Sequence, residues 1–313
     1  YALAAVDENS PYRVAGEDRS YLGNAGKSFV NIIRYQHLIT DKSRLGGFNM
    51  SRFYENKSQG ILWGIDGLFL IGDNWRVAFE LAHSSTQEGY QDWIESEDTF
   101  GKYTVALDGE SYGGHNLYFQ AFRNTEHWKS YIKLRDISPN FRTDLGFVVK
   151  NNRRWATVYH LYQNISDRKG LQSYGFGTKA DINYTFQGYL KNVSLDGIFQ
   201  IKTFGNTDMS FTYDWDIFKN YLGVDYRYLG ALQWEVTSRA SEQLIVDISM
   251  LWGRDLAYNE EIPDRGRAFN FFTSLTYQLS DQFSINPSIR YGQLKRLDTD
   301  QFFFKGSISR LTL

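Results

Sequence analysis

Hydrophobic and polar residues alternate along most of the chain with a period of two. The segment 75–84 is the clearest case, since apolar residues recur at every second position and Arg76 and Glu80 lie between them. This alternation puts the apolar side chains on one face of a β-strand, whereas a helix would distribute them around its circumference. The same pattern recurs in segments 128–135, 174–187, 209–215, 244–252, 269–277 and 283–291. It predicts an all-β protein.

Short and long polar connections alternate between the predicted strands. Short connections lie at residues 40–42, 72–74, 123–125, 205–207, 238–241 and 280–282, and long ones at residues 9–27, 85–112, 136–152, 254–266 and 293–300. Short turns at one end and long loops at the other are typical of a transmembrane β-barrel. We predict about 16 strands of roughly 9–13 residues, long enough to cross a membrane when tilted. Residues 99–107 should form an extra strand inside a long loop, outside this count.

Composition favours a membrane barrel over a soluble β-protein. Aromatic residues make up 17% of the 313 residues, yet the mean hydropathy is −0.47, so the chain is polar on average. Strands with one face in lipid and the other in water produce this combination. Aromatic residues also occur at predicted strand ends, where membrane–water interfaces favour them. Examples are Trp63, Trp75, Tyr159, Tyr184, Trp252 and Tyr291.

A large soluble β-sandwich or propeller is the alternative fold. A propeller would repeat a blade motif about every 40–50 residues, and the sequence has no such repeat. No apolar run approaches the roughly 18 residues of a membrane helix. A net charge of −2 gives no electrostatic argument for nucleic acid as a partner, and the lack of cysteine excludes disulfides and cysteine-based metal sites.

The sequence thus predicts a single domain over residues 1–313, an up-and-down antiparallel transmembrane β-barrel of the bacterial outer membrane. The partners that this location implies are membrane lipid and lipopolysaccharide. The chain begins at Tyr1 without a signal segment. We therefore expect a processed or truncated chain that lacks part of the protein at one or both ends.

Charged residues on the polar face of the strands are candidates for lining the barrel lumen. The main candidates are Arg76, Glu80, Lys129, Lys133, Arg135, Arg154, Lys179, Asp181, Asp214, Asp247 and Arg290. Further residues predicted on this face are Asp66, His160, Asp196, Lys202, Asp216 and Glu235. They either tune the selectivity of a pore or form a cross-strand network inside a closed or plugged barrel. Because both signs are present, neither anion nor cation passage is favoured.

No cofactor, metal site or catalytic residue is predicted. The histidines have no His-x-x-x-His or similar metal-ligand spacing. A hydrolase would need a serine and a histidine at one site, but the neighbours His83 and Ser84 point to opposite faces of a strand. The acidic segments 95–98 and 260–264 could meet divalent cations, although a solvated loop explains them more simply.

A loop motif begins at Asp136, where the sequence reads DISPNFRTDLGFV and is soon followed by Arg153 and Arg154. Its residues Pro139, Asn140, Phe141, Gly146 and Phe147, together with Arg154, carry a resemblance to a known family. The segment resembles the outer-membrane β-barrel domain of unknown function that follows a family-9-like carbohydrate-binding module in Gram-negative surface proteins. The stretch 304–313 is similar to a late barrel strand of that family.

The resemblance implies a barrel over most of the chain, with further strands after residue 313. The carbohydrate-binding module is absent from these residues, so carbohydrate could be a partner only through a missing N-terminal domain. Pro139 and Gly146 suit a loop of fixed shape. Such a loop could fold into the lumen as a constriction or pack over the rim.

A channel or transport component at the cell surface is the leading functional hypothesis, because a barrel of this size can leave an aqueous lumen. One alternative is a plugged membrane anchor that displays a carbohydrate-binding domain. The other is an outer-membrane hydrolase, in which replacement of one serine or histidine would abolish an activity while the barrel still folds. Ion conduction through the lumen would distinguish the channel from the plugged anchor.

Overall fold

The computed structural model is all-β. It describes residues 1–312 apart from 93, 95, 97, 147, 167, 169, 204, 259, 281 and 300. None of the described residues belongs to a helix that could cross a membrane. The strands are β1 (Ala2–Asp7), β2 (Pro11–Ala15), β3 (Ser20–Asn24), β4 (Ser28–Thr40), β5 (Ser43–Tyr54), β6 (Gln59–Ile71), β7 (Trp75–Gln87), β8 (Tyr90–Gln91), β9 (Thr99–Phe100), β10 (Tyr103–Thr104), β11 (Leu107–Asp108), β12 (Ser111–Asn124), β13 (Trp128–Ile137), β14 (Arg153–Ile165), β15 (Leu171–Tyr184), β16 (Leu190–Thr203), β17 (Thr207–Tyr221), β18 (Val224–Ser238), β19 (Leu244–Leu256), β20 (Arg265–Ser280), β21 (Phe283–Arg296) and β22 (Phe302–Thr312).

Sixteen strands form one up-and-down antiparallel sheet in the order β1, β4–β7, β12–β22. This confirms the predicted fold class and strand number. The extra strand predicted near residues 99–107 is a separate short hairpin, β9–β10. Strands β1 and β22 stand at the two ends of the order, and no pairing joins them within the described residues. Closure of the sheet into a barrel stays a prediction.

In an up-and-down sheet, successive connections lie alternately at the two ends of the strands. We refer to these two ends of the sheet as its edges. The connections after β4, β6, β12, β14, β16, β18 and β20 are all short, and we call their side the turn edge. The other side, the loop edge, carries the long segments 8–27, 88–110, 138–152 and 257–264. The predicted alternation is therefore present, although the connection 222–223 at the loop edge is also a tight turn.

The chain forms two compact units. Unit 1 comprises residues 1–123, 131–157 and 182–190, and unit 2 comprises residues 124–130, 158–181 and 191–313. Both units contribute strands to the sixteen-stranded sheet.

The two faces of the sheet in unit 1 differ in chemistry. Asp66 pairs with Glu80, which pairs with Tyr118 on the next strand. One position further along, Ile65 pairs with Leu81. Ile65 is 48% exposed and Leu81 43% exposed, although both are large and apolar. We call the face that carries Asp66 and Glu80 the polar face, and the face that carries Ile65 and Leu81 the apolar face.

Unit 2 has the same two faces. Asp196 pairs with Asp214, whereas Phe199, three positions from Asp196, pairs with Phe211. The register continues to β19, where Trp252 lies on the apolar face and is 59% exposed. The terms polar face and apolar face are used for each unit by itself.

The main buried core of unit 1 lies among the loops. Its apolar residues come from the segments 8–27 and 88–110, and from Tyr54 and Tyr112 near the strand ends at the loop edge. The hairpin β2–β3 belongs to the first segment, and the hairpins β8–β11 and β9–β10 belong to the second. We call the segments 8–27, 88–110 and 138–152 together the loop cap.

Candidate functional site

The loop segment 138–152 lies along the polar face of unit 1. The backbone nitrogen of Arg142 donates to Ser84 Oγ at 3.1 Å, and Ser84 is only 1% exposed. Gly114 lies directly beneath the backbone of Phe141, which leaves no room for a Cβ at position 114. Close backbone approach of this kind requires glycine. Because the segment is seated on the strands, we call it the seated loop.

The seated loop reaches well along the strands. Phe141 is buried with Ala82 and Ile137, and Phe48 packs against them. Ala82 lies five positions before the last residue of β7, so the contact is roughly 16 Å from the loop edge at about 3.3 Å per residue. The sequence left open whether the loop folds inward or packs only over the rim. In the structure it lies along the polar face of the strands, away from their ends.

Arg142 is the centre of a buried polar cluster. The side chain is 4% exposed, and its Nη1 donates to Glu88 Oε1 at 2.8 Å and to the hydroxyl of Tyr112 at 2.5 Å. The guanidinium stacks over the ring of Tyr12, 4.3 Å from the ring centroid. Its Nε is 3.6 Å from Asp144 Oδ1. The seated loop is thus joined to the other two segments of the loop cap.

Burial perturbs the ionisable groups of this cluster. Removal from water raises the pKa of Glu88, although the hydrogen bond from Tyr112 and the charge of Arg142 act in the opposite direction. For Arg142, burial lowers the pKa, but the neighbouring phenols and carboxylates outweigh this and leave the pKa raised. Arg142 therefore remains the cation of the cluster.

The last residues of the seated loop fasten it to the segment 8–27 of the loop cap. The backbone nitrogen of Asn151 donates to the carbonyl of Gly16 at 3.0 Å, and its Nδ2 donates to the carbonyl of Pro139 at 2.5 Å. Asn152 Nδ2 donates to Glu17 Oε2 at 2.7 Å. Side-chain amides satisfy the backbone groups that a loop leaves unpaired.

Four of the five predicted loop-motif residues are described, namely Pro139, Asn140, Phe141 and Gly146, whereas Phe147 lies outside the described residues. Phe141 is the motif residue with the clearest role, since it is 2% exposed. Sequence reasoning missed Arg142 and Glu88. The charge of Arg142 inside an otherwise fixed loop was a usable signal, whereas no local pattern marks Glu88.

The predicted lumen residues of unit 1 fall on the polar face, with one exception described below. Asn116 Nδ2 donates to Glu80 Oε1 at 3.0 Å, and Arg135 Nε donates to Asn116 Oδ1 at 3.3 Å. Lys133 Nζ lies over the indole ring of Trp155, 4.7 Å from the ring centroid. Arg76 shares the face of Glu80 on β7.

The predicted lumen residues of unit 2 fall mostly on its polar face. Lys179 Nζ is 2.5 Å from Asp196 Oδ2 and 3.4 Å from Asp181 Oδ2. Asp214 lies across from Asp196, and the register places Asp247 on the same face. Lys179 and the acids Asp181 and Asp196 form a mixed-charge network.

A cavity of about 460 Å³ lies on the polar face of unit 2, near the turn edge. Its charged lining residues are Lys129, Lys202, Asp208 and Glu235. Arg290 lies further along the polar face, with its guanidinium 5.3 Å from the ring centroid of Phe272. The lining carries charges of both signs.

Arg154 and His160 lie elsewhere. Arg154 Nε donates to Asp136 Oδ2 at 3.1 Å, and the other oxygen of Asp136 is 3.1 Å from Nε2 of His115 on the apolar face. His160 stacks on Trp128 with ring centroids 4.7 Å apart. Both side chains therefore belong to the apolar face, because the alternation in β14 runs opposite to the predicted phase.

The serine–histidine arrangement considered from the sequence does not form. Ser84 is buried under the seated loop, whereas His83 points to the apolar face and contacts Trp63. A pair that sequence reasoning missed is Ser130 Oγ and His160 Nδ1, 2.7 Å apart. Its members come from two strands, so no sequence spacing reveals it.

Carboxylates gather at one place in the loop cap. Glu88, Asp108 and Glu110 have carboxylate oxygens within 4.8 Å of one another. Of the acidic segments noted in the sequence, 95–98 lies partly outside the described residues. In 260–264, Glu260 and Asp264 pair with Arg296.

A scan against protein-family models and searches of curated proteins and of solved structures found no match to this chain. The resemblance to a barrel domain that accompanies a carbohydrate-binding module stays a prediction.

Proposed function

We propose that the chain forms a β-barrel in the bacterial outer membrane, with the apolar face toward lipid and the loop edge toward the cell exterior. One observation carries the proposal. Large apolar side chains such as Trp63, at 54%, and Trp252, at 59%, are exposed, while Asn116 and Asp196 of the polar face are buried. Water-soluble proteins bury most large apolar side chains and expose most polar ones. They rarely expose wide apolar surfaces.

Lipid and lipopolysaccharide are the partners proposed for the apolar face. A groove of about 630 Å³ in unit 1 is lined there by Phe79, Leu81, Leu117 and Leu134, with Arg154 among its polar residues. The apolar part suits acyl chains. Arg154 lies at the start of β14, next to the loop edge, where a phosphate of an outer-leaflet lipid would lie.

We further propose that the barrel is a channel or transport component, narrowed by the seated loop. The polar face of unit 2 supports this, because it bears charges of both signs around an open cavity. The seated loop supports a constriction, because it places Arg142 and Asp144 over the polar face of unit 1, where Arg142 also pairs with Glu88. Charged constrictions set ion selectivity in pores.

Single-channel conductance in planar bilayers tests the channel proposal. The comparison is between the protein and a variant in which residues 140–146 are replaced by a short glycine–serine linker. We expect steady conductance from the protein and a larger conductance from the variant. Conductance from the variant alone would mean that the loop is a plug.

A plugged membrane anchor is the second candidate, and the buried core of the loop cap favours it. It would display a carbohydrate-binding domain at the cell surface. Silence from both the folded protein and the loop variant would reject the channel and leave the anchor.

A further inference from the structure

Three carboxylates meet at the base of the loop segment 88–110. Glu88 follows β7 and Glu110 precedes β12, and the nitrogen of Glu88 donates to the carbonyl of Glu110 at 2.9 Å. Thr104 holds the other two acids, since its nitrogen donates to Glu110 Oε2 at 2.9 Å and its hydroxyl to Asp108 Oδ2 at 3.2 Å. The acids are thus positioned by the fold of the loop.

A second observation separates this group from an ordinary acidic surface. The Glu88 side chain is fully buried, with 0% exposure, and its Oε2 has no hydrogen-bond partner. A buried carboxylate oxygen without a partner is costly, and a bound ion or water would supply the missing partner. Arg142 does not fill this role, because it binds the other oxygen, Oε1.

We propose that Glu88, Asp108 and Glu110 bind a calcium ion. Calcium takes oxygen ligands at about 2.3–2.6 Å, so the oxygens around one ion lie within a sphere of about 5 Å diameter. The separation of at most 4.8 Å between the three carboxylates fits that sphere. The ligands are all oxygens, which suits calcium better than zinc.

The ion would close the base of the loop segment and steady Glu88, whose Oε1 holds Arg142 of the seated loop. Calcium binding therefore stabilises the loop cap. Extracellular calcium modules bind with dissociation constants of about 10⁻⁴–10⁻³ M, and we expect this range here.

Terbium luminescence tests the site on the full chain folded in detergent. Tyr112 donates to Glu88 at 2.6 Å, so excited tyrosine should sensitise a terbium ion bound there, and calcium should displace it. The test variant is Asp108→Asn with Glu110→Gln. The control is Glu8→Gln, since the Glu8 side chain lies in the same loop cap but is 75% exposed.

We expect saturable terbium emission from the protein and from the control, and at least a tenfold loss of affinity in the double variant. Calcium should also slow proteolysis of the loop cap in the first two proteins only. Equal affinity in all three, or no saturable emission, would overturn the proposal. A heat-dependent shift in gel mobility verifies that each variant is folded, and no conductance is needed, so this result is independent of the channel test.

Discussion

Gly114 decides at the scale of one residue how closely the seated loop approaches the sheet. The backbone of Phe141 occupies the space of a Cβ at position 114. Gly197, also within a strand, has nothing within 4 Å of the corresponding position. The two glycines therefore separate the effect of the loop contact from the general effect of glycine on strand stability.

We predict that Gly114→Ala loosens the seated loop, whereas Gly197→Ala does not. Overpacking costs typically 1–3 kcal/mol, which raises the population of the opened loop by roughly fivefold or more. Tryptic cleavage after Arg142 should accelerate by that factor. Unchanged cleavage in Gly114→Ala would contradict the close contact, and faster cleavage in Gly197→Ala would mean that strand glycines act globally.

The sequence predicted a fixed loop at this place but not its charged centre. Pro139 and Gly146 marked the loop, and Phe141 was assigned to it. Two of the partners of Arg142, Glu88 and Tyr12, come from two other loop segments. Only the fold brings such distant segments together, and a period of two carries no information about loops.

Strand periodicity predicted the faces of most elements. In β17 and β19 the acids Asp214 and Asp247 alternate with exposed or half-buried apolar residues, as expected. In β14, Arg154 and His160 were predicted on the polar face but lie on the apolar face. The indole of Trp155 packs under Lys133 on the polar face, so an aromatic residue there does not mark the apolar side.

We predict that a charge is tolerated on the polar face of β16 and not on its apolar face. Phe199 is 41% exposed and Gln200 is also exposed, so water would accept arginine at either position. In lipid, arginine in place of an outward residue costs about 2–4 kcal/mol near the midplane. Phe199→Arg should therefore lower the urea midpoint of refolding into lipid vesicles, while Gln200→Arg should not. Equal midpoints would indicate that the apolar face meets water.

Whether the two end strands, β1 and β22, pair with each other is a property of the whole molecule. An open sheet leaves unpaired backbone groups on β1 and β22, and such edges invite aggregation. Backbone groups in lipid must all be paired, so a membrane sheet has to close. Sixteen strands is an even number, as bacterial single-chain barrels require.

We predict that β1 and β22 are neighbours in the folded protein. The chain has no cysteine, so disulfides can form only between engineered cysteines. Ala4→Cys would be combined in turn with Ser307→Cys, Ser309→Cys and Leu311→Cys, all on the apolar face by register. A disulfide requires Cα atoms about 4.4–6.8 Å apart, so one or two neighbouring positions should cross-link on oxidation and change the mobility on a non-reducing gel. Ala4→Cys with Ile248→Cys of β19 is the control that should stay uncoupled. If no position on β22 couples to Ala4→Cys, the sheet is open at this seam, and the proposal of a barrel closed by these sixteen strands fails.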